Sequence, residues 1–332
     1  VVHGAVKTYA ARMTGPKPRR SVNAPARTRS SRKAIEAGSH HLLKALGDGS
    51  GRAAVLSILG GHSGRVDLAA RDELGRTALH LAAARGDCVV VGHLLEAGAD
   101  AEAKAADGLT ALYSAAMTGH VDVVRRLLEA GAKAEVKASN GWTALLVASL
   151  DNHLDVVDAL LSSGRCGDLE ARDRHGWTAL YGAAWRGHAS VVRRLLEAGA
   201  NADVKASNGS TALLAALCTC RFDVVDVLLT SSRFEDLEAR DKHGRTALHY
   251  VAAWGHASLV RRLLEVGADA EVSDRLGDSV LEAARSSVRP IIQAAVDAGP
   301  ARRMANLRWH RAGRRHLVMW RRAALACAIP EA

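Results

Sequence analysis

This sequence predicts an all-α solenoid of stacked helix pairs, with short turn fingers between the units. Three observations carry that prediction. The tripeptide Thr-Ala-Leu opens at Thr77, Thr110, Thr143, Thr178, Thr211 and Thr246, at steps of 33 or 35 residues. A second apolar block follows each opening; Val123-Val124-Arg125-Arg126-Leu127-Leu128 returns almost unchanged at 191–196 and 259–264. The chain is 48% hydrophobic but only 4% aromatic, so its apolar content is mainly Ala, Leu and Val, which suit close helix contacts. A fixed period of this length marks a repeat architecture, in which one unit cannot bury its apolar faces but a stack can.

Within a unit, Thr is a good N-cap and opens the first helix. Ala follows at the first, fifth and often sixth places, as in Ala78, Ala82 and Ala83. Two to three turns of helix would not persist alone in water. A Gly-His step such as Gly119-His120 ends it. The second helix presents Val123, Val124, Leu127 and Leu128 on one face. Gly98, Gly131, Gly199 and Gly267 close such helices. The polar stretches between units, such as Asp173-Arg174-His175-Gly176, have turn chemistry. Along the chain, 1–38 reads as a basic, disordered extension and 39–299 as the repeat domain. That domain begins with a capping unit at 39–64, with helices near His41–Leu46 and Arg52–Leu59 around the turn Gly47-Asp48-Gly49-Ser50-Gly51. It ends in a degenerate unit at 275–299, opened by Ser279-Val280-Leu281 and continued by Ile291-Ile292 and Ala295-Val296. Two-residue insertions fall in loops after second helices, at Ser162–Asp168 and Ser231–Asp236, and create a longer period of 68 residues that suggests duplication of unit pairs. Residues 300–332 form a second basic extension with helical potential.

These motifs resemble the ankyrin repeat family. Thr77-Ala78-Leu79-His80-Leu81-Ala82-Ala83 and Thr246-Ala247-Leu248-His249 are similar to its T-P-L-H-x-A-A helix opening, with Ala for Pro in all six copies. Ala is also a good helix former, so the fold expectation stands. Gly187-His188, Val191-Val192, Leu195-Leu196 and Gly199-Ala200-Asn201 are similar to the family's second half. The resemblance covers about 65–299 and implies a protein-binding scaffold whose turn tips and first helices line a concave groove.

The net charge of +10 is unevenly placed: +8 in 1–38, +7 in 300–332 and −5 in 39–299. No apolar stretch of about 18 residues suggests a membrane span, and no apolar signal-peptide core stands near the start. Cys88, Cys166, Cys218, Cys220 and Cys327 lack framework spacing and read as small buried side chains in a reducing compartment. No cofactor or metal site is expected. Cys218-Thr219-Cys220 has no second pair for zinc, and the Gly-rich turn at 47–51 lacks the strand and Lys of a phosphate loop. No nucleophile stands with a base, so an enzyme is not expected. His120, His153, His188 and His256 share one slot, His80 and His249 another, and His175 and His243 a third; the resemblance implies local hydrogen bonding for all of them. The pairs Arg125-Arg126, Arg193-Arg194 and Arg261-Arg262 precede Glu129, Glu197 and Glu265 at helical spacing, which predicts ion pairs on a solvated face.

An internal comparison locates the expected contact surface. Residues 171–200 and 239–268 match at 21 of 30 positions, and six of the nine differences fall in the turn tip or first helix. The place before each Thr reads Arg76, Leu109, Trp142, Trp177, Ser210 and Arg245. The seventh place after it reads Ala84, Met117, Leu150, Trp185, Cys218 and Ala253. An apolar patch of Leu109, Met117, Trp142, Leu150, Trp177, Tyr181 and Trp185 is therefore the candidate partner site, flanked by Lys242, His243, Arg245 and Trp254. Some of these Trp side chains are alternatively packing groups between units.

The expected function is a protein-binding adaptor or scaffold, monomeric and intracellular, in the cytoplasm or nucleus. Residues 1–38 also fit an organelle-targeting segment, a nuclear or polyanion-binding signal, or non-coding sequence. Residues 301–329 interleave eight Arg with Leu307, Trp309, Leu317 and Trp320, which allows membrane-surface or helix-groove binding. Two alternatives stand: polyanion binding through 1–38 and 300–332, and a fragment of a larger enzyme or regulatory protein, since the chain begins at Val1.

Overall fold

The computed structural model describes residues 29–47, 52–61, 66–165, 167–231 and 236–299. Sixteen helices are seen among them, in eight consecutive pairs. The pairs are α1 (Arg29–Gly47) with α2 (Arg52–Gly61), α3 (Ala78–Arg85) with α4 (Cys88–Glu96), and α5 (Ala111–Met117) with α6 (Val121–Glu129). Next come α7 (Ala144–Leu150) with α8 (Leu154–Ser162), α9 (Ala179–Arg186) with α10 (Ala189–Ala198), and α11 (Ala212–Cys218) with α12 (Phe222–Thr230). The last are α13 (Ala247–Trp254) with α14 (Ala257–Val266) and α15 (Val280–Ala283) with α16 (Arg289–Asp297). Odd-numbered helices stack on one another in order from α1 to α15. Even-numbered helices from α2 to α12 form a second layer, and α14 packs on α16. One continuous apolar core runs from Leu42 to Ile292.

The Thr residues act as N-caps by the expected chemistry. Thr110, Thr143 and Thr178 accept the backbone N–H of Tyr113, Leu146 and Tyr181. The worn last unit keeps the device in another form: the Ser279 hydroxyl accepts from Glu282 N, and the Glu282 carboxylate accepts from Ser279 N. Ala82, Ala83, Ala115, Ala116, Ala183 and Ala184 are fully buried, which explains why an Ala-rich, aromatic-poor composition folds. The Gly step sits in the left-handed region, as at Gly119 (φ 77°), where a Cβ would lie 2.6 Å from Nδ1 of His153 in the next unit. Asn152 (φ 63°) and Cys220 (φ 56°) occupy the same slot in their own units. Fingers are joined along the stack by backbone bonds: Ala106 N to Leu74 O, Ser139 N to Asp107 O, Ser207 N to His175 O and Arg275 N to His243 O. Among the described residues there is no strand, only an isolated bridge between Ser273 and Ser279.

Three expectations are corrected. Helix α1 begins at Arg29, so the boundary expected between 38 and 39 falls inside a helix. Leu42 and Leu46 anchor that helix in the core, and the run Arg32-Lys33-Ala34 before them is made of good helix formers. The Arg pairs do not bridge to the Glu within their own helices. Arg126 reaches Glu96 on α4 at 3.1 Å, Arg194 reaches Asp158 on α8, and Arg262 reaches Asp226 on α12 at 3.0 Å. An adjacent parallel helix offers a carboxylate within reach of a long guanidinium, so these pairs link neighbouring units instead. The three described cysteines are not buried: Cys88 is half-buried, while Cys218 and Cys220 are exposed and free. Cys166, Cys327, residues 1–28, the turn at 48–51 and the extension 300–332 lie outside the described residues, as does much of the second insertion.

Candidate partner-binding face

Each finger is built by an Asx-type turn, in one of two ways. Where the fifth place before Thr is Asp, its Oδ1 holds the finger: Asp173 accepts from His175 N and Trp177 N, both at 2.8 Å. Asp241 accepts in the same way from His243 N and Arg245 N. Where that place is Ala, a side chain two residues on does the work, as Asn140 does for Trp142 N. The finger tips, and the residue before each Thr, are thereby fixed against the first helices.

The candidate residues divide by exposure. Trp185 and Met117 are 38% and 40% exposed and project from α9 and α5. Trp177 lies between Tyr181 and Trp185, with ring centroids 5.1 and 5.7 Å away. It also packs on Ala206 and Ala215 of the next unit. Trp142 is half-buried and donates its indole N–H to Asp173 Oδ2 at 3.0 Å. Leu109 is half-buried against the core. Arg245 is exposed, with its Nε 3.4 Å from Asp274 Oδ2. Trp254 packs on Tyr250 at 5.8 Å. Leu150 and Tyr181 were expected on the contact surface, but they are 4% and 3% exposed. Leu150 fits over Gly182, where an added Cβ would meet it at 3.0 Å, and Tyr181 lies beneath Trp177, so both support the face from below.

The histidines hold units together. His153 and His188 bring Nε2 to Met117 O and Leu150 O, at 3.1 and 2.9 Å, fastening each second helix to the preceding first helix. His80 Nδ1 accepts the Thr77 N–H, so its Nε2 donates to Leu109 O at 2.9 Å. Burial keeps His80, His188 and His249 below the ordinary imidazole pKa. Among the described residues no group of three His, Cys, Asp or Glu side chains is placed to hold a metal ion.

Sequence reasoning passed over two groups. Asp173 joins two fingers, and Tyr250 donates its hydroxyl to Asp241 Oδ2 at 2.8 Å. Both carboxylates are buried, at 8% and 7% exposure. The signal was one repeat slot that holds Asp in some units (Asp72, Asp173, Asp241, Asp274) and Ala in the others (Ala105, Ala138, Ala206).

Fixed fingers on stacked helix pairs, with an aromatic face beside them, define a repeat scaffold of the kind that presents a surface. The family profile described as ankyrin repeats matches residues 33–138, 131–206 and 183–274. The chain belongs to the ankyrin repeat family. Among solved structures, it is similar to the crystal structure of the ankyrin repeat domain of Bcl-3, described as a unique member of the IkappaB protein family. That likeness has a TM-score of 0.61 at 32% identity and covers 67% of this chain and 100% of the other. No curated protein matches significantly. Ankyrin repeats are generally protein–protein interaction modules, and the fold is typically not catalytic. No helix among the described residues is long and apolar enough to cross a membrane.

Proposed function

We propose that this protein is an adaptor that binds a partner protein on the face made by its fingers and first helices. The carrying observation is the exposed Trp185 and Met117 on first helices, together with the exposed finger residues Leu74 and Leu276; of the large apolar side chains exposed among the described residues, Val89 alone lies on a second helix. Large apolar groups ringed by polar ones are the usual anchors of protein interfaces. The internal comparison supports the same face. Between 171–200 and 239–268 the Thr and Gly cap residues and most of the core are kept, and Ala183/Val251 and Val191/Leu259 change only apolar size, while Trp177/Arg245, Tyr181/His249, Gly182/Tyr250 and Trp185/Ala253 change in kind. Selection for packing alone gives no reason for change to concentrate there.

The test is affinity capture with the full chain, a Met117→Ala/Trp185→Ala variant, and a chain lacking 1–28 and 300–332. Partners held by the full and shortened chains but lost by the double variant support the face. Capture that survives the double variant and disappears with the two ends removed moves the function to the basic extensions, and its steep loss with salt would identify polyanion binding.

A further inference from the structure

The repeat domain is net acidic, yet four successive fingers in its middle and C-terminal part form a basic stretch of edge. In the fingers at 137–142, 172–177, 205–210 and 240–245, the carboxylates are Asp173 and Asp241. Both are buried and already accept two backbone N–H groups each. The exposed charges of these fingers are therefore cationic, with Lys137, Arg172, Arg174, Lys205, Arg240 and Lys242 among them. Of these six, Lys205 pairs with Asp236 at 3.3 Å. The other five have no carboxylate within ion-pair distance among the described residues. Arg172 and Arg240 instead donate to the backbone oxygens of Lys205 and Ser273 in the next unit, which fixes the direction of the side chain without cancelling its charge. One member of the set, Lys137, Arg172, Lys205 or Arg240, stands at the same place in each of four successive units, six residues before Thr.

We infer that this edge and the aromatic face beside it bind an extended acidic protein segment, with carboxylates at about every third residue and a large apolar anchor between them. The inference rests on the adaptor reading above and adds the chemistry of the partner. The spacing follows from the stack. Packed helices lie about 8–10 Å apart, and an extended chain advances ~3.3–3.6 Å per residue. About three residues of partner thus span one unit. The anchor follows from continuity: Arg172, Arg174 and Trp177 share one finger, and Trp177 touches Trp185. A single-stranded nucleic acid would also meet the charge, but its binding draws on open aromatic faces for base stacking. Here Trp177 is tilted against Tyr181 and Trp185 at 42° and 40°, so these rings cover one another. Met117, the other exposed anchor, offers no stacking plane.

The test is fluorescence anisotropy with the full chain at low salt and a labelled 15-residue peptide carrying Glu at every third position and a central Phe. Its controls are the same peptide with Gln for Glu and an oligothymidine of equal charge. Two variants are compared, Trp185→Ala and Lys137→Gln/Arg174→Gln/Lys242→Gln; the triple variant leaves both basic extensions intact. The Glu peptide should bind, the triple variant should weaken it about tenfold, and Trp185→Ala should weaken it too. Equal binding of the Gln peptide overturns the acidic segment and leaves the adaptor reading in place. An unchanged affinity in the triple variant overturns it by assigning the charge effect to the extensions. Tighter, triple-sensitive binding of the oligothymidine overturns it in favour of a nucleic-acid surface. Failure of both peptides to bind overturns it outright, while insensitivity to Trp185→Ala removes the anchor and the adaptor face together.

Discussion

The bond from Trp142 to Asp173 should behave as a strut between two fingers, and its strength can be measured. Asp173 is 8% exposed; its Oδ1 takes two backbone N–H groups at 2.8 Å and its Oδ2 takes the Trp142 indole at 3.0 Å. Hydrogen bonds to a charged acceptor contribute about 1.5–3 kcal/mol, and the half-buried donor places this one near the lower end. Trp142→Phe removes that donor and some ring area, for an expected loss of about 2 kcal/mol. Asp173→Asn keeps an acceptor for the backbone but turns an amide N–H toward the indole, at a similar cost. With the indole gone, the amide has nothing to oppose. The double variant should therefore lose about 1–1.5 kcal/mol less than the sum of the singles. Urea unfolding of the four proteins measures this, followed by both far-UV circular dichroism and Trp fluorescence, because repeat arrays can unfold in parts. Additivity within about 0.3 kcal/mol would refute the strut. If the strut holds, Trp142→Phe should leave partner affinity nearly unchanged, and the anchor role falls to Trp185 and Met117.

Other outcomes follow from single sites. Burial depresses the proton affinity of His80, and its Nδ1 already accepts the Thr77 N–H, so the unfolded chain takes up a proton near pH 6.5 and the folded chain only at lower pH. Its stabilisation is full above pH 6.5 and declines as pH falls below it; the urea midpoint should drop between pH 7.5 and 5.5, and His80→Gln should flatten that drop. A midpoint indifferent to pH in the unaltered chain would contradict the assignment. Cys220 holds a left-handed conformation (φ 56°) in a slot where four other units have Gly, so Cys220→Gly should stabilise by about 1 kcal/mol, read as a higher urea midpoint. Thr211 is fully buried and its hydroxyl has no hydrogen-bond partner, whereas the Thr143 hydroxyl accepts Leu146 N at 3.3 Å. Thr211→Val should be nearly neutral and Thr143→Val should cost about 1 kcal/mol; equal losses in thermal melts would show that capping does not distinguish them.

What was legible in the sequence was whatever repeats. Thr-Ala-Leu, the paired Val and Leu, and the closing Gly each recur because each solves a local problem: an orphan N–H, a close helix contact, a left-handed turn. Those solutions need no knowledge of the neighbouring unit. What was not legible lies between units. The intrahelical spacing of Arg125 and Glu129 fits a helix-surface pair, yet Arg125 faces Asp122 instead and its neighbour Arg126 turns to Glu96, thirty residues earlier, because the stack brings that carboxylate alongside. Tyr181 reads as a surface group at its repeat position, but the covering ring comes from Trp177 and the floor from Ala206 and Ala215 of the next unit. The proposed face comes from comparing units, since divergence against a copied framework is a sequence property. Its charge was missed because the repeat domain as a whole is net acidic, and the burial of the two acids in these fingers, Asp173 and Asp241, is seen only in the structure.

Those two carboxylates also explain how the face can vary without loss of the fold. Both hold their finger through Oδ1 in the same way. Their second oxygens differ in partner: Asp173 is met by Trp142 from the preceding finger, Asp241 by Tyr250 from its own first helix. A buried carboxylate needs some donor there, since an unmet lone pair out of water costs free energy, but it does not specify which. The finger geometry is thus separable from the identity of the side chain beside it. Where Trp142 fills the role, the partner face gains an aromatic wall; where Tyr250 does, the matching place in the preceding finger is Ser210, and one unit on that place is held by the exposed Arg245, which meets Asp274 Oδ2 at 3.4 Å. One turn scaffold therefore supports an aromatic segment and a cationic segment on the same edge, which is the arrangement that an acidic chain with an apolar anchor requires.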